Sequence, residues 1–232
     1  MTSTTTAEPD PTNDDISTTP PSNHTLPSDC LFSPFASTTI NAPASHVAKC
    51  LLDSARYPEW NTFIPEVTIT YDPTTKAKDA VVGKEVAPKG FFKVGTKMTF
   101  RCEMNGKDGG SSYNNKEEVT RVEMPPPPSI SSSASSPSAS GAEEKVYNIE
   151  WDSRGFPSFV MRGKRMNQLR RILPAGGGEG GEKCEYVTWE TFAGPLARVV
   201  KMQFEGLLRE RFVDWTRDLK AFAERTWAER EG

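Results

Sequence analysis

The residues able to do chemistry are few in this chain, and their spacing excludes more than it offers. Cys30, Cys50, Cys102 and Cys184 lie far apart with no CxxC or Cys/His spacing, so neither a zinc knuckle nor a redox pair is expected, and no metal. His24 and His46 are the only histidines, which leaves little material for a His-based triad. The stretch GGGEGG at 176–181 satisfies GxGxxG after a strand-like segment. A dinucleotide site also needs a helix next, whereas Cys184 to Phe192 reads as another strand, so a hairpin loop and no cofactor are expected.

Two features keep chemical interest. Between Asp152 and Glu179 there is no acid, while Arg154, Arg162, Lys164, Arg165, Arg170 and Arg171 occur. Such a run is either a patch for a carboxylate, phosphate or acidic headgroup, or a solvated face paired with acids on adjacent strands. The second reading is preferred for most of them, and Arg165 is kept as a binding candidate. Glu190 shares a strand face with Tyr186, Thr188 and Phe192, while Val187 and Trp189 share the other. Pointing inward, it is a buried carboxylate with a raised pKa, able to act as acid or base. Pointing outward, it is a surface charge, and the rarity of buried glutamates favours that orientation.

These residues must be positioned by strands. Met98, Phe100, Cys102 and Met104 share one face while Lys97, Thr99, Arg101 and Glu103 share the other, which is the alternation of a half-buried strand. Tyr147, Ile149 and Trp151 repeat it, and two further strands, about Arg165 to Leu173 and Lys183 to Phe192, flank the glycine loop. Short spacers between strands require antiparallel neighbours. From Pro195, the positions Leu196, Val200, Phe204, Leu208, Phe212, Trp215, Leu219 and Phe222 recur every three or four residues, predicting an amphipathic helix of roughly 30 residues and about 45 Å. Gly206 inside it would admit either a ligand or a close sheet contact.

Between residues 40 and 67 the pattern is strand, helix, short turn, aromatic anchor, strand, which describes a lid. Asn41 and Pro43 form a helix start, Asp53 and Ser54 can cap a second turn, and Trp60 and Phe63 need burial before a strand from Glu66 to Tyr71.

The 232 residues are 35% hydrophobic and 25% charged with a net charge of −3, a balance that points to neither nucleic acid nor an acidic partner. No apolar run approaches the ~20 residues of a membrane span and no signal-peptide pattern opens the chain, so a cytoplasmic protein is expected. Transient contact with a membrane surface is the one membrane role left open. Residues 1–29 and the Pro/Ser-rich stretch at 125–144 have too few large apolar side chains to offset ordering entropy, and both are expected to be disordered. A single domain over 30–228 remains, with the second stretch as a hairpin insertion.

Two segments, APASHVAKCLLDSARYPEWNTFIP and TWETFAGPLARVVKMQFEGLLRERFVDWTRDLKAF, resemble the opening and the closing strand and helix of the START/SRPBCC superfamily, in its polyketide cyclase/dehydrase-like or coenzyme Q-binding branch. The resemblance implies an α+β helix-grip fold: a curved antiparallel sheet wrapped around a long C-terminal helix, with two short helices after the first strand. It also implies an apolar cavity between sheet and helix, here lined by Trp60, Phe63, Phe100, Tyr147, Trp151, Arg165, Phe204, Leu208, Phe212 and Trp215. The expected function is binding of a hydrophobic small molecule such as a lipid, isoprenoid or polyketide-like compound. The alternatives are a cyclase or dehydratase using Glu190, Tyr147 or Arg165 in that cavity, or a protein-interaction domain.

Overall fold

The computed structural model describes residues 15–22, 24–73, 81–82, 85–86, 90–104, 111–125, 146–173 and 181–231. Strand β1 (Phe35–Ile40) leads into α1 (Ala44–Leu52), a 3-10 turn (Ser54–Arg56) and α2 (Tyr57–Trp60). There follow β2 (Glu66–Tyr71) and two short strands, β3 (Val81–Val82) and β4 (Glu85–Val86), that pair with each other. Strands β5 (Lys97–Glu103), β6 (Ser112–Glu123), β7 (Val146–Ser153), β8 (Arg162–Ile172) and β9 (Lys183–Ala193) precede α3 (Pro195–Glu231).

The fold is α+β. Seven strands form one antiparallel sheet in the order β1-β9-β8-β7-β6-β5-β2. The expected alternation holds where it was clearest: Met98, Phe100, Cys102 and Met104 are all buried. On β8 the inward set is Gly163, Arg165, Asn167 and Leu169, and on β9 it is Cys184, Tyr186, Thr188, Glu190 and Phe192. A bulge between Val119 and Arg121 interrupts β6 and reverses which parity faces inward.

Helix α3 has 37 residues, so its length is roughly 55 Å and it outruns every strand. From Phe212 onward it buries Phe212, Trp215, Thr216, Leu219, Phe222, Ala223 and Thr226, whereas before Phe212 it buries Ala197 and Leu208. Gly206 is exposed and an added Cβ would meet nothing within 4 Å, so a close sheet contact is not the reason for a glycine there.

Two local expectations need correction. Asn41 does not cap α1: its backbone N–H and Nδ2 both donate to Glu224 of α3, at 2.7 and 2.9 Å. Asp53 makes no side-chain cap, and the Ser54 hydroxyl donates to the Gly90 carbonyl instead. In both cases the tertiary partner out-competes a local amide. The described part of the tail is mostly exposed and touches the fold at a few residues, among them Asp15, Ser17, His24 and Asp29. Ser17 and Ser37 exchange backbone hydrogen bonds of 2.8 Å, Asp15 pairs with Lys220, and the His24 ring meets Trp189 and Phe35 edge-on. Strand β1 is a sheet edge with unpaired backbone groups, and composition alone does not register that attraction. Residues 1–14 and the insertion beyond Pro125 lie outside the described residues.

Candidate functional site

Arg165 is the centre of the helix-sheet interface. Strand alternation turns it inward, where it is 3% exposed and its guanidinium carbon lies 4.0 Å from the ring centre of Trp215 and 4.3 Å from that of Phe212. Trp151, its cross-strand neighbour on β7, is 5.8 Å away. Stacking over aromatic faces offsets part of the cost of burying the cation. Its Nε donates to Thr188 Oγ1 at 3.4 Å, while Nη2 is buried and has no hydrogen-bond partner among the described residues.

A polar chain holds this arrangement from behind. Trp215 Nε1 donates to the Tyr186 hydroxyl at 2.7 Å, which donates to Asn167 Oδ1 at 2.7 Å. Thr188 Oγ1 lies 3.0 Å from the same amide oxygen, and Asn167 Nδ2 donates to the Ile149 carbonyl at 3.3 Å. Helix α3 and strands β7, β8 and β9 are thus tied together just behind the guanidinium.

Two carboxyl groups share this environment. Glu190 pairs in register with Arg165 and points inward, 9% exposed, against the expectation of an outward side chain. The outer face of β9 carries Val187 and Trp189, the latter against the His24 ring, so large apolar side chains stand on that face as well and alternation did not single out the inner one. Burial pushes the Glu190 carboxyl up to about 7, with Arg165 opposing the rise. Glu117, on β6, is 4% exposed and accepts from Asn115 Nδ2 at 2.5 Å. Burial raises its pKa well above the ordinary range; the charge of Glu190 adds to the rise and Arg165 opposes it.

The other cations of the Arg-rich run are paired on the solvent side, as the solvated-face reading expected. Arg154 meets Glu118 at 3.0 Å, Lys164 meets Glu150 at 2.7 Å, Arg171 meets Glu182 at 2.6 Å, Arg170 meets Glu185 at 3.7 Å, and Arg162 meets Asp29.

Of the aromatic set, Trp60, Phe100, Trp151 and Trp215 form one buried cluster with ring centres 5.3 to 6.3 Å apart, joined by Tyr57 and Phe92, which sequence reasoning left out. Phe63, Phe212 and Leu208 are buried with them. Tyr147 belongs to another neighbourhood, beside Glu182, Arg171 and Ser45 near α1. Phe204 is half-buried and meets Tyr113 at 5.6 Å. His46 Nε2 lies 2.9 Å from Thr226 Oγ1 and 3.7 Å from Cys50 Sγ. Burial pushes that thiol up to about 11, so the pair is a packed one and not a thiolate nucleophile. All four cysteines are free. The glycine loop is largely outside the described residues, but β8 and β9 on either side pair with each other.

Among the described residues, no helix is long and apolar enough to cross a membrane. One cleft of about 320 Å³ lies outside the interface, between residues 27–30 and the 154–164 segment, lined by Asp29, Phe156, Arg162 and Lys164 among others.

The chain is therefore an α+β protein in which a long C-terminal helix covers a seven-stranded antiparallel sheet and encloses one cation with two carboxyl groups. No protein-family model matches it. It is 29% identical over 189 residues to the oxopyrrolidines biosynthesis cluster protein O of Penicillium oxalicum, covering 78% of this chain and 81% of that one. Its fold is similar to that of the hypothetical protein jhp0584 from Helicobacter pylori, with a TM-score of 0.53 and 9% identity over 85% of this chain and 91% of the other.

Proposed function

We propose that this protein binds a hydrophobic, oxygen-bearing small molecule between the sheet and α3, with Arg165 as its polar anchor. The observation that carries this reading is the buried guanidinium set among aromatic rings, whose Nη2 has no hydrogen-bond partner among the described residues. A buried cation left short of a hydrogen bond is costly, and a ligand carbonyl or carboxylate would supply the missing acceptor. The sparse burial of α3 before Phe212, where only Ala197 and Leu208 are buried, supports entry from that end. The likeness to a biosynthesis-cluster protein supports a small biosynthetic metabolite as the ligand.

Native mass spectrometry of freshly purified protein, followed by solvent extraction, tests this. A one-to-one species that Arg165→Met fails to retain is the expected result. A protein that carries nothing and shows no thermal shift with a panel of aromatic ketones, polyketide-like compounds and isoprenoids would defeat the reading. A cyclase-like or dehydratase-like enzyme is the second reading, and the inward carboxyl of Glu190, poised near neutrality, favours it.

A further inference from the structure

Glu117 and Glu190 sit on strands three positions apart in the sheet, and between them the inner face carries the small residues Ser153 and Gly163. On the inner face the row from β6 to β9 runs Glu117, Ser153, Gly163, with Glu190 one pair beyond on β9. A Cβ built at Gly163 would stand 3.3 Å from Glu190 Oε1 and 3.1 Å from Ser153 Cβ. The Glu190 carboxyl therefore leans over the bare backbone of Gly163 towards β7 and β6. From the other side, Ser153 Oγ donates to Asn115 Oδ1 at 3.3 Å, and Asn115 Nδ2 donates to Glu117 at 2.5 Å. Among the described residues the Glu190 carboxyl accepts no hydrogen bond and closes no ion pair, and the unpartnered Nη2 of Arg165 lies in the same environment.

We propose that Glu117 and Glu190 act as a carboxylic acid and a carboxylate that together interconvert the keto and enol forms of a hydrophobic ketone anchored on Arg165. This rests on the ligand-binding reading above and adds an activity to it. The step balances within the site. A Glu190 oxygen takes the proton from the carbon beside the carbonyl, and the C–H electrons become the C=C bond. The carbonyl π electrons move to its oxygen, which receives the proton of Glu117. One proton enters the pair and one leaves, so no co-reactant is consumed, and the two glutamates exchange roles for the reverse step.

The electrostatics agree with this division. Two buried carboxyl groups beside one cation cannot both ionise cheaply, so near neutrality one holds a proton while the other balances Arg165. On the inner face the groups nearest the pair are Arg165 on β8 and Cys102 on β5, with Phe212 and Trp215 of α3 against Arg165, while Asp152 and Arg154 act from the opposite face of the sheet, where they pair with each other. Arg165 would also stabilise the developing enolate oxygen in a site shielded from water.

The probe is 2-tetralone, a hydrophobic ketone whose C1 protons exchange slowly in buffer. Saturation-transfer NMR reports its binding to the full chain, and proton NMR in D2O reports C1 deuteration at matched pD. We expect wild type to accelerate exchange at least tenfold over buffer, and Glu190→Gln and Glu117→Gln each to lose at least tenfold of that rate while still binding. Glu190→Asp, which keeps the acid but shortens its reach, should fall between, and it serves should a Gln variant fail a thermal-melt check of folding. Bound ketone that exchanges no faster than in buffer, or equally fast in Glu190→Gln, overturns the acid–base pair and leaves the binding reading standing. Absence of saturation transfer to wild type overturns both.

Discussion

Arg165 and Glu190 are register partners on β8 and β9 with both side chains inside the sheet, but the guanidinium lies against Phe212 and Trp215 and forms no ion pair with the carboxyl. The cation is held by rings and by one long hydrogen bond to Thr188, which leaves its charge available in the interior. Four consequences can be measured.

Arg165→Met keeps the bulk and removes the charge. With no cation to oppose burial, Glu190 should titrate above its present value of about 7. Ionising it then leaves an uncompensated buried charge, so the loss of stability should reach roughly 3 to 5 kcal/mol near pH 8 and be clearly smaller at pH 5. Urea unfolding at the two pH values decides this, and an equal loss at both would remove Arg165 from the electrostatics of the pair.

Relative to wild type, Glu190→Gln should gain stability as pH rises from 5 to 8. The folded carboxyl titrates near 7 against an ordinary 4.5, so between those values the folded state binds more protons than the unfolded one. Stability from this group is complete below about pH 4.5 and is lost as pH rises through 7, by about 3 kcal/mol at most. The gain over wild type should therefore grow from pH 5 to pH 8 in thermal melts. A pH-independent difference would contradict the assigned direction.

Two glycines should respond with opposite signs. Gly206 has open space where a Cβ would go, so Gly206→Ala should add about 0.5 to 1 kcal/mol through helix propensity. Gly194, between β9 and α3, has φ +95° and an added Cβ would lie 2.8 Å from the Val160 carbonyl oxygen. Gly194→Ala should cost on the order of 1 to 3 kcal/mol. Chemical denaturation of the two variants side by side is sufficient, and a gain from Gly194→Ala would contradict this geometry.

Truncations separate the two parts of the tail. A chain starting at residue 23 should be less stable than one starting at residue 15 by about 1 to 2 kcal/mol, because it loses the paired Ser17–Ser37 hydrogen bonds and the Asp15–Lys220 contact. Equal melting temperatures would show that this added pairing contributes nothing in solution.

The fold was legible where one side of an element is wet. Strand β5 alternates cleanly and α3 repeats every three or four residues, because solvent selects polar side chains on the free face. The interior pair was not. Glu117 sits in SYNNKEEVTRVE, where polar residues occupy both parities and a bulge after Val119 shifts the phase, so only its sharing a face with Val119 hinted at burial. The orientation of Glu190 could not be read because large side chains stand on both faces of β9, Tyr186 and Phe192 within and Val187 and Trp189 without. Arg165 was legible as distinct only through the imbalance of acids around it; its neighbours on the same run found partners on β6, β7 and β9 or next to them.

The pairing of Phe35 with Trp189 also sets a timetable for the chain's own birth. Strand β1 emerges early from a ribosome, and its sheet partner is about 150 residues behind it, on the order of ten to thirty seconds at about 5 to 20 residues per second. Throughout that interval β1 and the first hairpins present bare edges and one uncovered apolar face, and α3, which must cover that face, emerges last. Nascent chains should therefore be most vulnerable to aggregation and to chaperone capture before residue 193, with release following synthesis of the helix.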